Sequence, residues 1–324
     1  MPTIWLELNA GVGESLTVTN WGIDMRIGTM IGADGSSDTL DDVINTAKAA
    51  ETMGLDSVWL ANIFSFDAIS TLALIGRETS RISLGTAVTP TYPRHPTAIA
   101  QQALTTAAAS GGRFTLGIGL SHQVVIESML GMSYDKPAKH MREYLSVLMP
   151  LVRGETANFQ GEQYRVQGVQ LAIPGAEHMP VVIAALGPQM LKLAAQMTDG
   201  TNTWMVGANT MESHILASLK AAGNTEPTVV AGMPIVLTTN VDEAREKIDK
   251  NLVMYGQLPS YRAMLDREGA AGPADIAIVG DENTLRGEIK RFEDMGVTDF
   301  NAAIMDVEEG ARARTLEFLA SLKG

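Results

Sequence analysis

The chain has 324 residues, no cysteine and a formal net charge of −13 at pH 7, and 45% of its residues are hydrophobic. This composition excludes a disulfide framework and a cysteine nucleophile, and the acidity argues against a nucleic-acid partner, because such proteins carry basic patches. No run of 18 apolar residues occurs, so a membrane span is not expected. The chain is expected to be a soluble, cytoplasmic enzyme.

Residues 1–24 are interpreted as an N-terminal extension ahead of a single domain that spans residues 25–324. The extension contains Glu7 and Glu14 and lacks the basic region and apolar core of a signal peptide. No Pro/Ser-rich linker divides the rest of the chain, which is why one domain is predicted.

From Met25 onward, short apolar runs alternate with helical patterns. The predicted strands are Met25–Ile31, Ser57–Leu60, Ile82–Val88, Phe114–Ile118, Val181–Ala185, Asn202–Met205, Thr228–Thr238 and Phe300–Met305. The predicted helices are Thr39–Met53, Ala68–Thr79, Thr97–Ala109, Gln189–Met197, Met211–Ala222, Asp242–Met254 and Glu309–Leu322. Such alternation indicates βαβ units and a parallel sheet. The strand count predicts an α/β fold, a closed (β/α)8 TIM barrel with insertions, and a six-stranded open sheet is the alternative.

Three segments depart from this repeat. Thr156–Pro174 predicts a small hairpin. Gly256–Gly280, rich in Gly, Pro and Ala, predicts a long loop over the barrel mouth. His140 and Arg142, on a helix with Glu143, are interpreted as part of a charged face.

The carboxyl ends of the strands, where barrel enzymes place their chemistry, are poor in ionisable groups. These tips contain no lysine, a single histidine and almost no carboxylate. A Schiff-base lysine, a metal centre of converging His, Asp or Glu ligands and a glycosidase carboxylate pair are therefore not expected. The small, amide-bearing and apolar tips favour a flat aromatic cofactor that performs the difficult chemistry, although residues such as Met30 and Met205 also suit core packing.

Several motifs in order give the chain a family resemblance. They are Ile82–Pro96, Ala100–Gln102, Gly112–His122, Ala184–Pro188, Thr198–Gly200 and Gly280–Asp281 with Met295–Val297. From about Met25 to the C-terminus, the chain resembles the luciferase-like monooxygenase superfamily, and within it the F420-dependent oxidoreductases of actinobacteria and archaea. The resemblance implies a luciferase-like barrel, coenzyme F420 (alternatively FMN), a small-molecule substrate and a homodimer.

The same resemblance implies a set of cofactor-binding residues. They are Asn62, Ala87, Val88, Thr89, Gly119, Ser121, His122, Leu186, Gly187, Pro188, Thr203 and Trp204. In this family a non-prolyl cis peptide lies beneath the central ring of the deazaflavin, and the matching bond is Ala87–Val88. Gly119 has no side chain, so the backbone there can approach the cofactor closely. The helix after Gly187 can offer backbone N–H groups to the cofactor's phosphate.

Plainer interpretations stay open for several of these residues. Ser121 and His122 also fit a turn with an exposed histidine, Leu186–Pro188 an ordinary turn before a helix, and Trp204 a wall of the substrate pocket. Arg94 and His95 fit either an anion site or a structural role, and the structural role is favoured.

One position departs from part of the family. The sugar-phosphate dehydrogenases of the superfamily end their second strand in an Asp-His pair whose histidine is the base, and this chain has Asn62 and Ile63 there. No catalytic residue is therefore assigned, and the missing base favours hydride delivery to an activated double bond over alcohol oxidation. The alternatives are an FMN-dependent monooxygenase of the same fold and a barrel that binds a cofactor without turnover.

Overall fold

The computed structural model describes residues 24–32, 39–176 and 178–323. Of the predicted extension, residues 1–24, only Asp24 falls within them. The strands are β1 (Arg26–Ile31), β2 (Ser57–Leu60), β3 (Ser83–Thr86), β4 (Thr89–Pro90), β5 (Phe114–Gly119), β6 (Ala157–Gln160), β7 (Arg165–Val169), β8 (Val181–Ala184), β9 (Gly200–Trp204), β10 (Thr228–Leu237), β11 (Ile278–Gly280) and β12 (Asp299–Ile304).

The helices alternate with these strands. They are α1 (Leu40–Thr52), α2 (Ala68–Glu78), α3 (Pro96–Ala109), α4 (Pro137–Val152), α5 (Pro188–Met197), α6 (Ala208–Thr210), α7 (Ala217–Ala221), α8 (Val241–Gln257), α9 (Pro259–Glu268), α10 (Pro273–Ile276), α11 (Glu282–Asp294) and α12 (Ala311–Ser321), with π-helical segments at Val124–Met129 and Met211–Leu216. Among the described residues, no helix combines the length and the apolar character needed to cross a membrane.

The strands close into a parallel barrel, which confirms the predicted fold class. Strand order is β10-β12-β1-β2-β3-β5-β8-β9, and pairing between β9 and β10 closes the ring. Because both faces of each strand are covered, strands such as β10 read as continuous apolar runs, TVVAGMPIVL. The predicted hairpin is present as antiparallel β6 and β7.

Helix starts follow local capping chemistry. Thr39 begins α1 with a reciprocal capping box to Asp42, and the side chains of Asp67 and Asp281 accept hydrogen bonds from the first turns of α2 and α11. Each cap satisfies backbone N–H groups that have no partner within the helix. These caps define where α1, α2 and α11 begin.

The prediction of a long loop over Gly256–Gly280 is wrong. This segment forms α9, α10 and the short strand β11, which pairs with the end of β10. Pro259 occupies the first turn of α9, and Gly269 follows its last turn with a left-handed φ of 79°. Proline at the start and glycine after the end are ordinary helix signals, which the high Gly, Pro and Ala content obscured.

Strand β3 is interrupted where it meets β5. The side-chain hydroxyl of Thr86 donates to the carbonyl of Gly117 (2.6 Å) and accepts from its N–H (2.8 Å). A Cβ at Gly117 would lie 1.9 Å from the carbonyl oxygen of Thr86, and one at Gly119 would lie 2.6 Å from the Val88 side chain. These glycines make room for neighbouring protein, whereas the sequence had suggested room for a ligand.

The prediction of a charged face on α4 is wrong for His140 and Glu143, which are both buried. His140 stacks on Tyr92 with ring centroids 3.9 Å apart. Its Nδ1 donates to the Gln163 carboxamide oxygen (2.9 Å), so Nε2 accepts from the Thr91 hydroxyl (3.0 Å). The neutral imidazole thus joins α4, the β6–β7 hairpin and the loop after β4.

We expect Gly117→Ala to destabilise the barrel by at least ~3 kcal/mol, the upper end of ordinary overpacking costs. The added Cβ would collide with backbone at Thr86, which cannot rotate away. Urea unfolding followed by circular dichroism measures the change. Gly287→Ala is the control, because this exposed residue of α11 has nothing within 4 Å of its Cβ position, and alanine there is expected to stabilise by ~0.5–1 kcal/mol.

Burial lowers the pKa of His140, against the opposing influence of Gln163 and Glu143. The folded state therefore binds this proton less readily than the unfolded state, so the free energy of unfolding should fall as pH drops below about 6.5, by at most ~1.4 kcal/mol per pH unit for one group. His140→Gln should flatten this slope. Urea titrations at pH 5, 6 and 7 test it, and identical slopes for both proteins would contradict the role assigned to His140.

Candidate active site

The predicted cofactor contacts lie together on one side of the barrel mouth. They lie at or just after the carboxyl ends of β2, β3, β5, β8 and β9, which are consecutive in the barrel. Thr89, Gly119 and Thr203 are buried, and Gly187 and Pro188 are exposed. The half-buried members are Asn62, Ala87, Val88, Ser121, His122, Leu186 and Trp204. Partial exposure at the centre of the mouth is what a cofactor pocket requires.

Asn62 is held in one orientation by its neighbours. Its Oδ1 accepts from the N–H of Ala68 (3.0 Å) and from Arg94 (3.3 Å), so the other edge must be the amide nitrogen. Arg94 also pairs with Asp67 at 2.7 Å, which agrees with the structural role favoured for it. Burial opposes ionisation of Asp67, but hydrogen bonds from Ser70 and Arg94 outweigh it and lower its pKa. Asn62 can therefore offer Nδ2 as a donor.

The bulge after β3 stands beside Asn62. The Ala87–Val88 peptide bond is cis, as the family resemblance predicts. The N–H of Ala87 donates to Leu60 (2.9 Å), and the carbonyl of Val88 accepts from the N–H of Asn62 (3.3 Å). These bonds attach the bulge to the end of β2, so that Val88 and Asn62 are placed side by side.

The tips of β5 and β9 both contain left-handed backbone. Ser121 has φ 60° and Met205 has φ 55°, a conformation that residues other than glycine adopt at a cost and that is found often at functional sites. Tyr134 donates to the carbonyl of Ser121 (3.3 Å). Burial lowers the pKa of His122, which favours its neutral form at neutral pH.

Helix α5 directs its N-terminus towards solvent beyond Gly187. Gly187 is the N-cap, has no side chain to cap the first turn, and has nothing within 4 Å of its Cβ position. His214 hydrogen-bonds the carbonyl of Leu186 (2.8 Å) and so anchors the turn. Backbone N–H groups at such a terminus attract anions.

Four rings meet across the mouth and form an aromatic cluster of His122, Trp204, Tyr255 and Tyr261. Tyr255 lies 6.0 Å from Trp204, 6.1 Å from His122 and 5.3 Å from Tyr261, between ring centroids. Sequence reasoning missed Tyr255 and Tyr261, which lie at the end of α8 and in α9. Pro259 and Gly269, the boundary residues of α9, were the signal that could have revealed a helix there.

Several polar atoms around the mouth lack partners. Within the described part of the chain, no hydrogen bond reaches Nε1 of Trp204 or Oγ1 of Thr89, both fully covered by protein. Buried polar atoms are usually satisfied, so orphaned ones mark a binding site or bound water. In the same described residues no group of three or more His, Asp or Glu side chains could hold a metal ion. The arrangement can bind and orient a flat molecule, and it offers hydrogen-bond donors in place of a strong base.

A second concavity, about 880 Å³, lies at the opposite end of the barrel. It is lined by residues that include Met149, Ile173, Pro180 and Asp199. Pro180 and Asp199 directly precede β8 and β9, so this groove belongs to the amino-terminal face, which in barrel enzymes serves stability. The mouth is therefore the candidate site.

Known proteins share this fold and sequence pattern. A relative from Methanolobus tindarius, 5,10-methylenetetrahydromethanopterin reductase, is 29% identical over 78% of this chain and 79% of its own. The coenzyme F420-dependent tetrahydromethanopterin reductase from Methanopyrus kandleri superposes with a TM-score of 0.75 at 20% identity, over 91% of this chain and 97% of that one. An FMN-bound Baeyer-Villiger monooxygenase component from Pseudomonas putida gives 0.71 at 16% identity, over 91% and 96%.

A family model agrees with these likenesses. The model for luciferase-like monooxygenases matches residues 18–299, a range that includes every strand of the barrel except β12, of which it reaches only Asp299. The chain belongs to the luciferase-like monooxygenase family.

Proposed function

We propose that this chain is an F420-dependent oxidoreductase that reduces an activated carbon–carbon double bond in a small organic substrate. The proposal rests on the composition of the mouth, which has aromatic walls and unpaired hydrogen-bond donors. The described residues contain no group that could hold a metal ion, and Asn62 and Ile63 occupy the positions of the Asp-His pair that supplies a base in other members of the family. Such a site cannot drive acid–base chemistry unaided, and it suits a cofactor that performs the redox step. The reductase names of the relative from Methanolobus and the structural neighbour from Methanopyrus support the same class.

The residues present fit a deazaflavin. Asn62 Nδ2 is a donor without a partner among the described residues, the half-buried Trp204 ring adds an apolar wall, and the first turn of α5 offers backbone N–H groups to a phosphate. The bulge at Ala87–Val88 lies beside Asn62 and would contact the ring. Ser121, Leu186 and Pro188, which are half-buried or exposed, complete the proposed binding surface, and the buried residues Thr89, Gly119 and Thr203 lie behind it.

When bound and reduced, the deazaflavin supplies a hydride. With a proton taken from water, that hydride would complete the reduction of a double bond. The aromatic rings at the mouth would hold the substrate beside the cofactor. His122, whose neutral form is favoured by burial, acts as a hydrogen-bonding group and does not need to ionise.

Titration with F420 and with FMN tests the cofactor. F420 fluorescence should be quenched on binding, and reduced F420 should be consumed with an enone present. The proposal fails if F420 binds no more tightly than about millimolar, −4 kcal/mol. Tight FMN binding with oxygen-dependent turnover would favour the monooxygenase alternative, and binding of F420 without turnover on any enone would favour the non-catalytic one.

We expect Gly187→Asp to weaken F420 binding at least tenfold, ~1.4 kcal/mol, because its carboxylate would occupy the anion site at the start of α5. Aspartate is a preferred N-cap, so the helix should keep its structure. Gly187→Asn is the matched neutral control and should bind nearly as the unmodified protein does. Binding of the phosphate-free deazaflavin chromophore should be the same in all three proteins. Equal loss of both ligands in Gly187→Asp would place the phosphate elsewhere.

The homodimer and the cytoplasmic location stay predictions. Light scattering on the purified protein measures the first.

A further inference from the structure

We propose that the substrate is a flat, uncharged, largely apolar molecule bearing a carbonyl oxygen, such as an aromatic enone, and that the aromatic cluster binds it. The proposal rests on the F420-dependent function proposed above and identifies the class of molecule that the site accepts. It assigns Tyr255 and Tyr261 to the substrate, next to His122 and Trp204 at the edge of the proposed deazaflavin contacts.

The first argument is the geometry of the cluster. The Tyr255 ring stands at 71° to Trp204, 77° to His122 and 90° to Tyr261. Rings that meet edge to face stand at steep angles to one another, so the exposed parts of these half-buried rings form a corner with apolar walls. Flat apolar molecules pack well against ring faces and edges, and a corner of this kind restricts them to few orientations.

The second argument is the set of polar groups that the cluster leaves unpaired. Within the described residues, Tyr255 and Tyr261 contact other rings and the apolar side chains beneath them, and neither hydroxyl has a hydrogen-bond partner. The His122 ring likewise contacts only other rings. Apolar walls with a few convergent polar groups are the usual make-up of a small-molecule pocket. A carbonyl oxygen is the complement of hydroxyl donors.

The third argument is the lack of charge at the cluster. The pKa of Tyr255 is raised by burial alone, and that of His122 is lowered by burial alone, with no contribution from a charged neighbour. Three of the four charged residues of α9 are engaged by other protein groups, and the fourth, Arg267, is exposed to solvent. Arg262 pairs with Asp266 (2.7 Å), and Glu268 accepts from the backbone of Thr210 (2.7 Å). An ionised substrate would lose its hydration here without gaining a partner, which is costly.

The fourth argument is an apolar rim around the mouth. It consists of large hydrophobic side chains that are exposed: Ile63, Phe64, Val124, Met129, Val253 and Met254. Ile63 and Phe64 follow β2. Val124 and Met129 belong to the segment after β5, and Val253 and Met254 precede Tyr255 at the end of α8. Phe64 and Met254 are 67% and 62% exposed. Exposed apolar groups concentrated at a pocket entrance mark a binding site, and their continuity with the cluster points to an apolar substrate.

A matched pair of probes tests the class. The uncharged probe is benzylideneacetone, and the charged probe is the same enone with a carboxylate at the para position of its phenyl ring. With saturating reduced F420 we expect kcat/KM for the uncharged enone to exceed that of the carboxylate at least tenfold. Calorimetry on the cofactor-free protein should show the same order of affinity. Equal or reversed preference, or binding of neither probe, would overturn the proposal.

Variants then test the residues. Tyr255→Phe and Tyr261→Phe remove only a hydroxyl, and loss of a hydrogen bond to the carbonyl should raise KM for benzylideneacetone in at least one of them by about 3- to 10-fold, with the Kd for F420 unchanged. Tyr164→Phe, in the His140 region outside the mouth, is the control and should keep the original KM. An unchanged KM in both mouth variants would refute their role.

The rim is tested separately. Phe64→Ser combined with Met254→Ser should raise KM for benzylideneacetone, whereas Leu74→Ser, an exposed apolar residue of α2, should not. A change in oligomeric state without a change in KM would instead make the rim a contact between copies of the chain. Failure of F420 to bind would remove the proposed function, while the binding of the two probes to the cofactor-free protein would still decide the substrate class.

Discussion

The mouth of this barrel depends on the contact between Thr86 and Gly117. Two hydrogen bonds join them, and the carbonyl of Thr86 fills the space where Gly117 would carry a side chain. This contact lets β3 bulge against β5 without opening the sheet. The bulge places Val88 against Gly119 and, through its carbonyl, next to the backbone of Asn62. The arrangement of the ring-binding region is thus decided by backbone packing, with no charged group involved.

The candidate site contains few unpaired charged groups. Charged residues near it are paired with other protein groups, as Arg94 is with Asp67, while the polar edges of the aromatic cluster are left free. A pocket of this kind binds by shape and by a few directed hydrogen bonds. Its chemistry must then come from a cofactor, because proton transfer by side chains contributes only where a suitably placed acid or base exists.

Sequence reasoning was most successful where local patterns decide the structure. The alternation of apolar runs and helices predicted the barrel strands closely, and the predicted cofactor contacts all fall on consecutive strand ends. The predictions were wrong for two segments whose amino-acid composition and local periodicity do not indicate their structure. The glycine and proline content of Gly256–Gly280 predicts a loop. The charged neighbours of His140 on α4 predict that His140 lies on the surface. In both segments the structure depends on contacts between residues far apart in the chain. His140, for example, is buried by its contacts with Tyr92, Gln163 and Thr91.

The sequence by itself determined the class of fold and the poverty of ionisable groups at the strand ends, since both follow from residue type and spacing along the chain. Only the tertiary structure decided that the Asn62 oxygen is engaged, that the glycines of β5 make room for protein and that Tyr255 and Tyr261 face His122 across the mouth. These facts depend on contacts between residues far apart in the chain, where no local pattern records which partner a polar atom will find.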